Sequence, residues 1–137
     1  MIAKSYNLEK NIDLIKNYQM FLFYGENHGI KKEFKEKIKD KDKDKEVLNF
    51  FQSELIKNES ILLKEISNKS LFGKKKTIFI NDVNDKIFFF LQDLAEIISD
   101  EQIFFFADIL DKRSKIRNYF EKSKNYGIVA CYGDNEI

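Results

Sequence analysis

Short apolar runs and helix-spaced apolar residues take turns through this sequence. Leu8, Ile12 and Ile15 recur at spacings of four and three, which predicts one face of a short helix over 8–16. Met20-Phe21-Leu22-Phe23-Tyr24 is apolar without alternation, which predicts a strand buried on both faces, stopped by Gly25. A turn over 25–29 leads to a helix over 30–39 with Ile30, Phe34 and Ile38 on one side. Lys and Asp alternate through 39–45, and such a run cannot bury a face, so a solvated loop is expected there. Residues 47–51 predict a second strand. Ser53 is placed to cap the next helix, whose buried face takes Leu55, Ile56, Leu62, Leu63 and Ile66. After a break at 68–73, residues 76–80 predict a third strand. Asn84 or Asp85 can start a helix that buries Ile87, Phe88, Leu91, Leu94, Ala95 and Ile98. Residues 103–107 then predict a fourth strand, 113–124 a helix with Ile116, Tyr119 and Phe120 on one side, and 127–131 a fifth strand.

Five buried strands separated by helices require crossover connections. The expected fold is α/β, a three-layer parallel five-stranded sheet with helices on both faces. No internal repeat or low-complexity linker divides the sequence, so 1–137 reads as one domain. It ends just past the last predicted strand without a closing helix, which is the expectation for a domain cut from something longer.

Composition narrows the function classes. At 137 residues the chain is one ordinary domain, too short for a polymerase, a kinase or a multidomain motor. Hydrophobic residues make up 43%, enough for a real core. Charged residues make up 34%, yet the net charge is +1, which argues against a generally basic surface that coats nucleic acid. The excess of Lys over Arg, the 14 Phe and the absence of Pro and Trp reflect coding bias more than chemistry. A single Cys, Cys131, excludes an internal disulfide and a thiolate-rich metal site, and a single His, His28, excludes a multi-histidine one. No apolar run approaches the roughly 18–20 residues of a membrane span, and the N-terminus lacks the apolar region of a signal peptide. A cytoplasmic protein is expected.

The first strand-to-helix turn is where an α/β fold most often binds phosphate. A phosphate-binding P-loop reads G-x-x-x-x-G-K-[ST]. Here Gly25 is followed by Glu26, Asn27, His28, Gly29, Ile30, Lys31 and Lys32. The second Gly is one residue early, Lys32 stands where a magnesium-binding hydroxyl belongs, and Glu26 puts a carboxylate where phosphate would sit. Asp82, after Ile78-Phe79-Ile80-Asn81, is in the neighbourhood of a Walker B acid. Asp and Asn are also common wherever a strand gives way to a turn, so Asp82, Asn84 and Asp85 equally read as turn and capping residues. His28 has no partner at a spacing that suggests catalysis, and Cys131 reads as a small buried apolar residue.

Ser70-Leu71-Phe72-Gly73 sets two large apolar side chains together at a helix end, between Lys69 and the run Lys74-Lys75-Lys76. Adjacent helical residues point about 100° apart, so both cannot easily face one core. They either cover the edge of their own core or enter a partner's pocket, where each contributes about 1.5–3 kcal/mol. Lys112-Arg113-Ser114-Lys115-Ile116-Arg117 is either the exposed side of an amphipathic helix or a contact for phosphates or an acidic partner.

In order, Phe21-Leu22-Phe23-Tyr24-Gly25-Glu26-Asn27, Ser70-Leu71-Phe72-Gly73, Ile78-Phe79-Ile80-Asn81, Leu110-Asp111-Lys112-Arg113-Ser114-Lys115-Ile116-Arg117, Phe120-Glu121-Lys122 and Val129-Ala130-Cys131-Tyr132 resemble the N-terminal domain of the delta-subunit family of the bacterial DNA polymerase III clamp loader. The resemblance spans essentially the whole chain and is carried by order and spacing. It implies a RecA/AAA+-like P-loop NTPase fold with strand order 5-1-4-3-2. It also implies a degenerate nucleotide site at Gly25, Glu26, Asn27, Gly29 and Lys31, with no cofactor, metal or catalytic residue. It implies a subunit of the polymerase III holoenzyme, a nucleotidyltransferase complex acting in DNA replication. The implied partners are the sliding clamp (beta), the loader subunits delta prime and gamma/tau, and primed DNA through the complex, with no membrane. Ser70, Leu71 and Phe72 match the family's clamp-binding element. The family's helical lid and collar domains have no counterpart in this sequence. A P-loop-type ATPase with an atypical phosphate loop is the alternative.

Overall fold

The computed structural model describes residues 1–41, 44–67 and 75–133. Its strands are β1 (Ile2–Ala3), β2 (Met20–Tyr24), β3 (Glu46–Phe51), β4 (Lys76–Val83), β5 (Gln102–Ala107) and β6 (Gly127–Ala130). The helices are α1 (Ser5–Lys10), α2 (His28–Lys41), α3 (Gln52–Lys57), α4 (Ser60–Ser67), α5 (Phe88–Ile97) and α6 (Lys115–Lys122). The six strands form one all-parallel sheet in the order β1-β6-β2-β5-β4-β3. The sheet thus has one strand more than the expected five, and its order differs from 5-1-4-3-2 by that addition alone, since the other five strands keep it. β1 is an added edge strand outside β6, with Ile2 opposite Ile128 and Ala3 opposite Val129. Two residues carry no periodicity, so nothing in the pattern announces them. The amino group of Met1 donates to the carbonyls of Phe120, Ser123 and Tyr126 around the end of α6, which holds β1 in place.

Side chains alternate across a strand, so the sheet sorts its residues into two layers. Phe21 and Phe23 of β2 pack with Phe79, Phe104, Phe106, Val129, and with Leu8, Ile15, Phe34 and Ile38 from the α1 and α2 side. Met20, Leu22 and Tyr24 pack on the opposite face with Ile78, Ile80, Ile103 and Phe105, under Leu55, Leu62, Leu91, Leu94 and Phe120 of α3 to α6. Helices therefore cover both faces, and β2, β4 and β5 run apolar because both of their faces are buried. In the first layer Phe23 stacks on Phe21 and Phe106 at 5.0 Å each and meets Phe34 at 5.3 Å.

Several local expectations are corrected. β3 is not buried on both faces: it is an edge strand whose Val47, Asn49 and Phe51 are exposed. The expected helix over 8–16 breaks at Asn11, whose side chain accepts from the Asp13 N–H and starts a separate 3-10 turn, Ile12–Asn17. The helix after β3 begins at Gln52, so Ser53 does not cap it, and it breaks at Asn58 into α3 and α4. Ile56, expected in its buried face, is exposed. α2 starts at His28 and runs to Lys41, taking in the first part of the Lys-Asp run. β4 continues past Ile80 through a register shift to Val83, and inside that bulge Asp82 takes a φ of 54°. No helix among the described residues is long and apolar enough to cross a membrane.

Candidate functional site

The C-terminal ends of the parallel strands gather the residues singled out for phosphate chemistry. Gly25 follows β2 with a φ of +126°, and a Cβ there would stand 2.1 Å from the carbonyl oxygen of Cys131. Only glycine fits that approach. Its N–H donates to the Asp108 carbonyl at 3.1 Å, and the Asn27 N–H donates to the Cys131 carbonyl at 3.0 Å. Asn27 also caps α2, accepting from the Ile30 N–H at 3.0 Å while its amide donates to the Tyr132 carbonyl at 2.9 Å. The Glu26 carboxylate accepts from the Gly133 N–H at 2.9 Å.

A phosphate-cradling loop needs backbone N–H groups that converge on open space. Here those of Gly25 and Asn27 are occupied by carbonyls after β5 and β6. Lys31 is buried, and its amine donates to the Ala107 carbonyl at 2.9 Å, so it reaches into the sheet's end. Gly29 lies in the first turn of α2, where a Cβ would meet only the Asn27 side-chain oxygen at 3.4 Å. The structure brings all five residues of this loop together and laces the loop to the ends of β5 and β6.

Beside it lies a cavity of about 190 Å³ lined by His28, Lys31, Lys32, Lys35, Asn81, Asp82, Phe106, Ala107 and Asp108. His28 Nε2 stands 4.0 Å from Asp108 Oδ1 with both side chains exposed, a solvated pair rather than an oriented base. Asp82 is exposed on the cavity wall. Among the described residues no group of three His, Cys, Asp or Glu side chains could hold a metal ion. Cys131 is buried, and burial pushes its thiol up to about 12, which leaves it neutral.

The segment 112–117 is built for structure on its inner side. Ser114 caps α6, accepting from the Arg117 N–H at 3.2 Å. Arg117 donates to the Leu110 carbonyl at 2.8 Å, pairs with Glu121 at 3.4 Å and lies 5.1 Å from the Tyr24 ring centroid. Asp85 does not start its own helix; Asn84 does, accepting from the Lys86 N–H at 2.9 Å. Instead, the Asp85 carboxylate accepts from the Ser114 hydroxyl at 2.8 Å and from the N–H groups of Lys115 and Ile116 at 3.1 and 3.2 Å. Burial alone would raise that carboxyl, but these donors outweigh it and hold it below its ordinary range. Sequence reasoning missed this role because donor and acceptor are about thirty residues apart.

Ser70, Leu71 and Phe72 lie outside the described residues. The flanking elements are α4, whose Leu62 and Ile66 are buried, and β4, whose Lys76 pairs with Glu65 of α4 at 3.5 Å. Near the start of β4, at the opposite end of the sheet from Gly25, a cavity of about 640 Å³ is lined in part by Lys41, Lys45, Lys75, Lys76 and Glu101.

The chain matches no protein-family profile and no curated protein. Among solved structures it is similar to the Bacillus subtilis DNA clamp loader delta protein (YqeN), with a TM-score of 0.68 and 12% sequence identity. The match covers 93% of this chain and 42% of that protein, so this chain spans less than half its length. A likeness at that identity is one of fold.

Proposed function

We propose that this chain is a clamp-loader delta-type domain, an interaction module that binds a sliding clamp and has no catalytic site of its own. The observation that carries the reading is the fold shared with a clamp loader delta protein over nearly the whole chain. The ordered motifs of the sequence point the same way. In this reading Leu71 and Phe72, presented with Ser70 between α4 and β4, anchor in an apolar pocket of the clamp. Each contributes about 1.5–3 kcal/mol, so binding is tight and largely insensitive to salt. A domain that holds the clamp better in its open form shifts the ring's population toward opening. Delta prime, gamma/tau and primed DNA are partners of the whole loader, and in this reading ATP hydrolysis belongs to neighbouring subunits.

The competing reading is a P-loop ATPase. The occupied N–H groups of Gly25 and Asn27 and the inward amine of Lys31 favour the module over the enzyme.

Calorimetric titration against a bacterial sliding clamp tests the proposal. Wild type should bind, and a Leu71→Ala/Phe72→Ala variant with an unchanged circular dichroism spectrum should not. Absence of binding by wild type would sink the reading. For the alternative, a thermal shift with ATP and magnesium is decisive. A ligand at about 100 times its Kd adds roughly 2.7 kcal/mol, and no shift is expected.

A further inference from the structure

β3 closes one side of the sheet: β4 pairs with it on one flank, and among the described residues no strand pairs with it on the other. The Glu46 N–H donates to the Lys75 carbonyl at 2.8 Å. Backbone groups of successive residues point to opposite flanks of a parallel strand, so Leu48 also aims at β4. Val47 and Asn49 therefore aim both their N–H and C=O groups away from the sheet, and Phe51 aims its N–H.

Proteins ordinarily blunt such an edge with Lys, Pro, a bulge or a covering element. β3 uses none of the first three. Residues 46–51 contain no Lys and no Pro, and the pairing with β4 runs without a shift from Glu46 opposite Lys76 to Phe51 opposite Asn81. The side chains of Val47 and Phe51 are 39% and 44% exposed.

Charge decides what fits. On the face that carries Val47, Asn49 and Phe51, α2 contributes Lys35 and Lys39. Lys35 Nζ lies 3.0 Å from Asn49 Oδ1 and 5.2 Å from the Phe79 ring centroid, and Lys39 Nζ lies 6.0 Å from the same ring. Neither forms an ion pair among the described residues. Burial, and then the nearby charge of Lys39, lowers the pKa of Lys35, with Glu36 and Asp82 acting in the opposite direction. A second copy of the chain paired across a two-fold axis at this edge would bring another Lys35 and Lys39 against the first pair. An anionic strand would relieve the repulsion instead.

We propose that the outer edge of β3 is a docking site for an extended acidic segment of a partner protein, which joins the sheet as a seventh strand. Its main chain bonds to Val47 and Asn49, its carboxylates settle on that face beside Lys35 and Lys39, and its apolar side chains take the other face beside Leu48 and Phe50. This site does not depend on the clamp reading.

The probe is a synthetic peptide that alternates Glu with Val and Ile, beside a counterpart with Lys in place of Glu, read by calorimetry and amide hydrogen exchange. The Glu peptide should bind and slow exchange at Val47 and Asn49 by about tenfold or more. A Lys35→Glu/Lys39→Glu variant should weaken binding by about tenfold. Val47→Pro removes only an outward N–H, so it should keep the circular dichroism spectrum and lose the peptide. Should that variant fail to fold, the lysine pair still decides. The proposal is overturned if the Glu peptide leaves exchange at Val47 and Asn49 unchanged, or if the Lys peptide binds equally well. It is also overturned if those amides become protected in the protein alone as its concentration rises, with a doubled mass in sedimentation. That result would make a second copy the occupant.

Discussion

Gly25 has no room for a side chain, and Gly29, four residues on, has room to spare. The difference is testable. Gly25→Ala must force a Cβ toward the Cys131 carbonyl at a φ of +126°, and should cost about 2–3 kcal/mol in urea unfolding. Gly29→Ala lies in a helix with only an ordinary contact, and should be neutral or stabilising by up to about 1 kcal/mol. Asp85 gives a pH signature. Its folded pKa lies below the ordinary 3.8, so its stabilisation is full above that value and is lost as pH falls below it toward the folded pKa. The stability gap between wild type and Asp85→Asn should therefore be present at neutral pH and close in acid unfolding at lower pH. Of these roles, the sequence made Gly25 legible as a stop after an apolar run. It could not reveal that the obstacle is Cys131 or that Asp85 serves α6, because both contacts are made only after the chain has folded back.

Strands were easier to read than helices, for a physical reason. A strand buried on both faces needs apolar residues without a break, and β2, residues 78–80 of β4 and residues 103–107 of β5 have them. Helix ends are set by local hydrogen bonds that compete with the apolar spacing. Asn11 interrupts one expected helix by accepting from Asp13, and Asn58 separates α3 from α4 while accepting from the Ser60 hydroxyl at 2.6 Å. β3 departs from the expectation because four apolar residues around Asn49 do not say whether the strand's second face finds a helix. Depth of burial makes the distinction measurable. Phe23→Ala, within the ring stack of β2, should cost about 3–5 kcal/mol. Phe51→Ala, on the exposed edge, should stay within about 0.5 kcal/mol, both read from the urea midpoint at constant slope. At the start of α6, Ser114→Ala should cost about 1 kcal/mol by removing the cap on Arg117.

The sheet sets what the chain can and cannot change. Its parallel α/β class was legible from alternation alone. β1 was not, since two residues have no period. The spacing at 25–31 showed a phosphate loop missing its usual ligands. It did not show that the loop is closed, because the carbonyls that occupy its N–H groups come from Asp108 and Cys131, more than 80 residues away. The two apolar layers meet only through the alternation of side chains along shared strands. An alanine inserted between Leu22 and Phe23 would turn Phe23 and Tyr24 each into the other's layer, and that variant should show no cooperative unfolding transition. Exchanging one apolar residue for another of similar volume at the same positions costs less than about 1.5 kcal/mol. What descent must preserve here is thus phase rather than spelling. A lineage can rewrite nearly every letter of these strands, provided that no letter is gained or lost within them, and its shape will outlast any trace of kinship in the text.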